Sequence, residues 1–310
     1  MIILLYHRVV ELQSDPQWLC VPPPLFAEQL EALRRLAPFV PLREVLTDCA
    51  QTRSIAITFD DGYADNLEFA APIMVEFRAP ATVFVAAGSP DREFWWDELD
   101  ALLLQDKPLP TELRLEFAGE TRTWTLDDAA TSPLSRWNVT KTPPSTRHAL
   151  YRDLCSLIRP LPYVEQDRIL DKVAVWAGQR RTTRATHRRM TNDDLRALAS
   201  QPTIEIGTHT LTHPLLSAMS PADQSSEICD SKRLLEAAIA KPVHGFSYPF
   251  GTRNDYGAES VRLVREAGYQ YACANHSGRV SSKGRWNLPR YLVRDWSPDE
   301  LAERVREWLE

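Results

Sequence analysis

Short, uninterrupted apolar runs recur along this chain, each closed by polar or turn-forming residues and separated from the next by helical patterns. They lie at 2–6, 55–59, 81–86, 204–207 and 245–248. A strand that is apolar at nearly every position has both faces covered, which is the habit of parallel sheets flanked by helices. Between the runs, Phe26, Leu30, Leu33 and Ala37 follow the i, i+4, i+7, i+11 spacing of a helix with one buried face. Thr191, followed by Asp193 and Asp194, reads as a helix cap with acids in the first turn. Ser220-Pro221 starts another helix, and Leu301, Val305 and Trp308 mark a last one. Strands alternating with helices predict an α/β fold with a parallel sheet or barrel. Such folds place their working residues where strands end and loops begin.

The stretch 99–189 breaks this rhythm. Leu113, Leu115 and Phe117 alternate with polar residues, Gly119 offers a turn, and Thr121 to Thr125 answers as a second strand. Two helices are expected after this hairpin, at 146–158 and 163–177. The chain 1–310 therefore reads as a single catalytic domain with its core at 1–98 and 190–310 and an insertion at 99–189. Arg180, Arg181, Arg184, Arg188 and Arg189 close the insertion. They form either a solvated linker or a patch for an anionic substrate group.

Composition narrows the partners. The charge sum over 310 residues, 36 basic against 42 acidic, is −6, which argues against a nucleic-acid binder. The five cysteines, Cys20, Cys49, Cys155, Cys229 and Cys273, are odd in number, widely spaced and free of any C-x-x-C pair, so free thiols are expected. The apolar opening is shorter than the about 7–15 residues of a secretory signal core, and no stretch approaches the roughly 18 of a membrane span. A cytoplasmic protein without a membrane span is expected, and no obligate protein partner stands out.

Three motifs follow apolar runs. Thr58-Phe59-Asp60-Asp61-Gly62 sets two carboxylates side by side, which needs a turn, permitted by Gly62, and gains from a nearby cation. His209 and His213, in Thr208-His209-Thr210-Leu211-Thr212-His213, stand at i, i+4, where a helical turn would put both imidazoles on one face. With Asp61 they make a two-histidine, one-carboxylate set that leaves positions open on a metal. Phe246-Ser247-Tyr248-Pro249-Phe250-Gly251 runs from a strand into a sharp turn that can aim a backbone N–H at a bound oxygen.

Together these motifs, in this order, resemble the polysaccharide deacetylase family, the NodB-homology domain of carbohydrate esterase family 4, and the Leu5-Tyr6-His7-Arg8 opening resembles its circularly permuted branch. The resemblance covers the core and implies a distorted (β/α)7-type barrel that removes N- or O-acetyl groups from a carbohydrate or sugar conjugate. It implies one divalent metal ion, zinc first, with cobalt, nickel or iron as alternatives, held by Asp61, His209 and His213. Asp60 would be the base acting on a metal-bound water, and the Phe250 N–H would serve an oxyanion hole. A divalent ion lowers the pKa of its water to about 7, so the chemistry agrees.

Two departures stand out. Ser247 takes the position of the family's usual arginine, and Leu288-Pro289-Arg290 replaces a leucine-x-histidine. In the permuted branch a histidine on the N-terminal strand supplies the acid, so the resemblance implies His7 as general acid, with His276 in reserve, and Arg290 as the residue that orients Asp60. Trp95, Trp96 and Asp97 resemble a sugar-contacting segment of that branch, though packing also explains the tryptophans; Tyr248 and Pro249 join the expected substrate contacts. His148, His187 and His244 are expected at the surface. A deformylase or amidase using the same site and a non-catalytic carbohydrate-binding relic stay open.

Overall fold

The computed structural model describes residues 1–47, 53–88, 91–117, 119–127, 137–280 and 284–310; Cys49 lies outside them. The chain divides into two compact units, one of Met1–Glu11, Leu19–Pro90 and Arg189–Glu310, the other of Leu12–Trp18 and Asp91–Arg188. The division thus falls at 91 and 188, where the sequence pattern set 99 and 189.

The first unit is built on seven parallel strands: β1 (Ile2–Tyr6), β2 (Ile55–Phe59), β3 (Ala81–Val85), β4 (Ile204–Thr208), β5 (Gly245–Ser247), β6 (Tyr271–Cys273) and β7 (Tyr291–Leu292). Their order in the sheet is β6-β5-β4-β3-β2-β1-β7. β1 and β2 pair from Ile2 opposite Ile55 to Tyr6 opposite Phe59, and every residue of both is buried, as their unbroken apolar sequences require. The segment entering β7 also bonds to β6. Leu288 N–H donates to the Ala272 carbonyl at 2.8 Å, and Ala274 N–H to the Leu288 carbonyl at 2.9 Å. One stretch of chain therefore touches both outer strands and curls the sheet towards a barrel. β6 and β7, of three and two residues, were not anticipated from the sequence pattern.

Nine helices are described: α1 (Pro23–Arg34), α2 (Ala71–Glu76), α3 (Trp95–Leu103), α4 (Thr146–Ile158), α5 (Tyr163–Trp176), α6 (Asn192–Ala199), α7 (Pro221–Ile239), α8 (Ala258–Glu266) and α9 (Pro298–Leu309). α1 buries Phe26, Leu30 and Leu33, the spaced apolar positions of its sequence. Phe26 meets Tyr6 of β1 and Phe59 of β2 edge-on, with ring centroids 5.1 and 5.9 Å apart. Ring pairs like these add about 0.5–1.5 kcal/mol beyond their burial and fix the helix on the sheet. α6 starts from a reciprocal capping box between Thr191 and Asp194, and α7 from the Ser220 hydroxyl accepting the Asp223 N–H, with Pro221 in the first turn. No helix among the described residues is long and apolar enough to cross a membrane.

The second unit holds α3, α4, α5 and an antiparallel hairpin, Glu112–Phe117 against Glu120–Thr125, whose Leu113 and Leu115 are buried. Its arginines do not form an anion patch. Arg184 donates to both Glu93 oxygens (Nη2 to Oε2, 2.7 Å), to Asp100 (2.6 Å) and to the Asp97 carbonyl (2.7 Å). Arg181 is held by Glu98, Asp167 and Asp171. In the first unit, the Arg189 guanidinium donates to the Ala86 carbonyl. Arg181, Arg184 and Arg189 are thus engaged because the carboxylates and carbonyls they meet are largely withdrawn from water. The same pressure corrects His148 and His187, which are buried, His148 with Nδ1 2.8 Å from the Ser145 hydroxyl. Cys20, Cys155, Cys229 and Cys273 are free thiols.

Candidate active site

β2 ends in a reversal that its last residues dictate. Asp60 N–H continues the ladder to the Tyr6 carbonyl at 3.1 Å; Asp61 and Gly62 then turn at φ +76° and +86°. A Cβ on Gly62 would lie 2.8 Å from Val85 Cγ1, so only glycine fits there. Neighbouring strand residues point to opposite faces. The turn overrides that alternation and brings both carboxylates to His209, whose Nε2 lies 3.8 Å from Asp60 Oδ2 and 3.6 Å from Asp61 Oδ1.

Asp60 is wholly buried and tightly held. Arg290 grips it with two parallel bonds, Nη1 to Oδ1 at 2.8 Å and Nη2 to Oδ2 at 2.6 Å. The Ser247 hydroxyl donates to Oδ2 at 3.1 Å while accepting from Arg290 Nη2 at 2.8 Å. Arg290 Nε donates to the Ala274 carbonyl at 2.8 Å, so the guanidinium is itself fixed. Burial alone would raise the Asp60 carboxyl, but Arg290, with His209 and His7, outweighs it and holds it well below the usual range. Ser247, which looked like a gap in the motif, occupies a place in this network.

The two histidines do not share a helix. After β4 the chain forms a loop in which Thr210 and His213 take φ +65° and +60°, a hand that a right-handed helix excludes. The loop is fastened by Ala87 N–H to the Thr210 carbonyl (2.9 Å), Gly88 N–H to the Leu211 carbonyl (2.8 Å), and His213 N–H to the Thr210 hydroxyl (3.1 Å). It brings the imidazoles together edge-to-face, centroids 4.8 Å apart. His209 Nδ1 lies 2.8 Å from the Ser247 carbonyl, which can only accept, so Nδ1 carries the proton and Nε2 keeps its lone pair. His213 Nε2 is 3.4 Å from Asp61 Oδ1. One ligand atom from each of Asp61, His209 and His213 lies within 4.8 Å of the others, all three residues buried. Burial lowers both imidazole pKa values, against the pull of Asp60, so both rings are held neutral. Two neutral imidazoles and a carboxylate, with the second ring nitrogen of His209 tied to a carbonyl, fit a divalent ion of the zinc, cobalt or iron kind.

The third turn completes the cluster. Phe250 and Gly251 take φ +59° and +70°, and the Phe250 ring packs on His213 with centroids 4.6 Å apart. A Cβ on Gly251 would come within 2.8 Å of the Asn275 amide nitrogen. Tyr248 is not displayed to a ligand: its ring is fully buried, stacked on Tyr256 at 3.9 Å, and its hydroxyl donates to the Trp286 carbonyl. Pro249 is likewise buried. Both serve the turn, because the β5 strand delivers them into packed space.

His7 follows β1. Its Nδ1 is buried, and its carbonyl accepts from Asn66 at 2.9 Å. Burial pushes its pKa down to about 3; Asp60 opposes this, while Arg294, Arg290 and His209 add to it. The next residue, Arg8, pairs with buried Asp65 at 2.9 Å and lies 4.1 Å over the Tyr63 ring, which pins the segment. The His276 ring is part-exposed, and its carbonyl accepts the Arg290 N–H at 3.0 Å. Trp95, Trp96 and Asp97 begin α3 in the second unit; Trp96 stacks on Phe94 at 4.6 Å. Sequence reasoning missed Glu227 of α7, which fastens the histidine loop; an acid on a helix carries no local sign of such a task.

Comparison with known proteins agrees with this geometry. Residues 47–150 and 172–272, together about two thirds of the chain, match the polysaccharide deacetylase family model. That match takes in Asp60, Asp61, His209, His213, Ser247 and Phe250, and leaves out His7 and Arg290. The putative polysaccharide deacetylase YxkH of Bacillus subtilis is 30% identical over 105 residues, 34% of this chain and 36% of that relative's length. Among solved structures, IcaB from Ammonifex degensii superimposes with a TM-score of 0.61 at 14% identity, over 100% of this chain and 97% of its own. The Streptococcus pyogenes deacetylase PplD, in complex with acetate, gives 0.55 at 18% identity over 98% and 97%. The chain belongs to the polysaccharide deacetylase family.

Proposed function

We propose that this protein is a metal-dependent hydrolase that removes an N-acetyl group from a carbohydrate or a glycan precursor. The observation that carries the reading is the convergence of Asp61, His209 and His213 beside an ionised Asp60 held by Arg290. A divalent ion held by those three residues would polarise the acyl oxygen and acidify a water. Zinc suits the donor set, with cobalt, nickel or iron as alternatives.

The protein's own groups do the rest. A carboxylate offers about four acceptor positions. Arg290 and Ser247 use three on Asp60, leaving one to take the proton of an attacking water. Arg290 keeps Asp60 ionised for that task and fixes its plane. In this reading the Phe250 N–H, at a left-handed turn beside His213, would donate to the developing oxyanion, where a backbone donor costs no reorganisation. His7 rests neutral, so it must receive a proton before it can give one to the leaving amine. Trp95, Trp96 and Asp97 supply sugar contacts in this reading. A carbohydrate or sugar conjugate is the partner, and the cytoplasm the location, which favours a precursor over an external polymer.

Acetate release tests the proposal, measured on metal-free protein with N-acetylated oligosaccharides and nucleotide sugars, with and without zinc or cobalt, beside Asp60→Ala. Release that needs the metal and vanishes in Asp60→Ala supports it. Release that survives Asp60→Ala at the wild-type rate removes Asp60 as the base.

A further inference from the structure

The histidine loop holds a conformation that its own sequence does not favour. Thr210 and His213 are both left-handed without being glycine, and Thr is β-branched. Such residues persist only where the surroundings over-determine them. On one side the loop is tied to the chain beyond β3, at Ala87 and Gly88. On the other side it meets the carboxylate of Glu227, from the middle of α7.

Glu227 is buried, 8% exposed, and receives three bonds from two consecutive loop residues. Leu211 N–H and Thr212 N–H donate to Oε2 at 2.8 and 3.0 Å, and the Thr212 hydroxyl donates to Oε1 at 2.6 Å. The same turn of α7 has a second tie. The Thr208 hydroxyl donates to the Tyr269 hydroxyl at 2.7 Å, and that hydroxyl donates to the Ile228 carbonyl at 3.0 Å. Residues 227 and 228 thus clamp the chain on both sides of His209. Helix α7 is in turn seated on α8 by the Ser260 hydroxyl bonded to Gln224 at 2.7 Å.

We infer that Glu227 is the positioning residue of the metal site, a strut that holds His209 and His213 in ligating geometry. The inference rests on the metal reading above. Glu227 does not touch the ligand atoms; it sets where the loop stands. Without it the Leu211 and Thr212 amides lose their shared acceptor, the left-handed residues relax, and the two imidazoles part. What acts is the acceptor geometry, not the charge.

Zinc affinity of the metal-free protein, read by competition with a chromophoric chelator, tests this without any substrate. Loss of a supporting contact around a metal typically costs 10- to 100-fold in affinity. Glu227→Ala should weaken zinc by that factor, and Thr212→Val, which removes one of three bonds, by less. Glu227→Gln should stay within about threefold of wild type, because an amide oxygen can accept both N–H groups and the Thr212 hydroxyl can turn to accept. The melting temperature of the metal-free variants separates general unfolding from loss of the strut. Zinc bound as tightly by Glu227→Ala as by wild type overturns the inference. Equal losses in Glu227→Gln and Glu227→Ala also overturn it, since charge would then be the agent. Wild-type protein that binds no zinc overturns the metal reading itself, an outcome distinct from both.

Discussion

Two arginines in this molecule, Arg184 and Arg290, each hold buried carboxylates and differ in what surrounds them. Arg184, in the second unit, is held by Glu93, Asp100 and a carbonyl. Burial among these acids pushes nearby Glu98 up to about 7, yet no left-handed residue other than glycine occurs in α3, α4 or α5. Arg290, in the first unit, neutralises Asp60 and leaves one acceptor position open. The same unit holds Asp61, Thr210, His213 and Phe250, all with positive φ, and Asp61, His209 and His213 bring one ligand atom each within 4.8 Å of one another. A buried ion pair by itself marks only charge that had to be compensated. The Asp60–Arg290 pair differs in lying beside backbone of positive φ and a cluster of two imidazoles and a second carboxylate.

This contrast can be broken in four ways. Asp60→Ala should have the largest effect, cutting turnover by about 10²–10⁴, the usual worth of a positioned base; a small loss would put the two arginines in the same class. Arg184→Ala should instead lower stability by about 3 kcal/mol, since Glu93 and Asp100 are left buried without a cation, and should leave zinc affinity unchanged. Denaturant unfolding and a zinc titration together read that outcome, and a changed KM for phosphorylated substrates would restore the anion patch.

The third test uses pH. His7 is neutral in the folded protein down to about pH 3, whereas its ordinary value is 6.5. Below 6.5 the unfolded chain binds a proton that the folded one refuses, so stability falls as pH drops through that window, by up to about 1.4 kcal/mol per pH unit. Metal-free His7→Gln should show a shallower fall; equal slopes would mean His7 titrates normally. The smallest effect belongs to Ser247→Ala, which removes one of three bonds to Asp60. Turnover should drop about tenfold, in line with a hydrogen bond of roughly 1.5 kcal/mol to a charged group, and Ser247→Thr should recover much of it.

Much of the fold could be read in the sequence. β1 to β5 announced themselves because their covered faces demand unbroken apolar runs. The clustering of Asp61, His209 and His213 was legible through their residue types, but the helical turn read for the two histidines is not what the chain forms. The spacing of His209 and His213 suits a helix, and the chain uses a left-handed loop in its place. The pairing of Arg290 with Asp60, residues 230 apart, was expected only from the family resemblance, since no local pattern encodes a partner at that distance. Tyr248 looked available to a ligand because sequence does not reveal which way a turn faces. Glu227 was invisible for the opposite reason: an acid in a helix is ordinary, and only the loop it meets gives it a task.

The seam between β1 and β7 sets a timetable. β1 leaves the ribosome first among the seven strands and β7 last, and the arginine that relieves Asp60 sits just before β7. Until then a nascent chain carries two unpaired strand edges and a carboxylate whose burial has no counter-cation. Closing so long a loop is slow. The pocket should therefore stay hydrated and unformed until synthesis has passed Arg290, so that the site takes shape late in the life of each molecule.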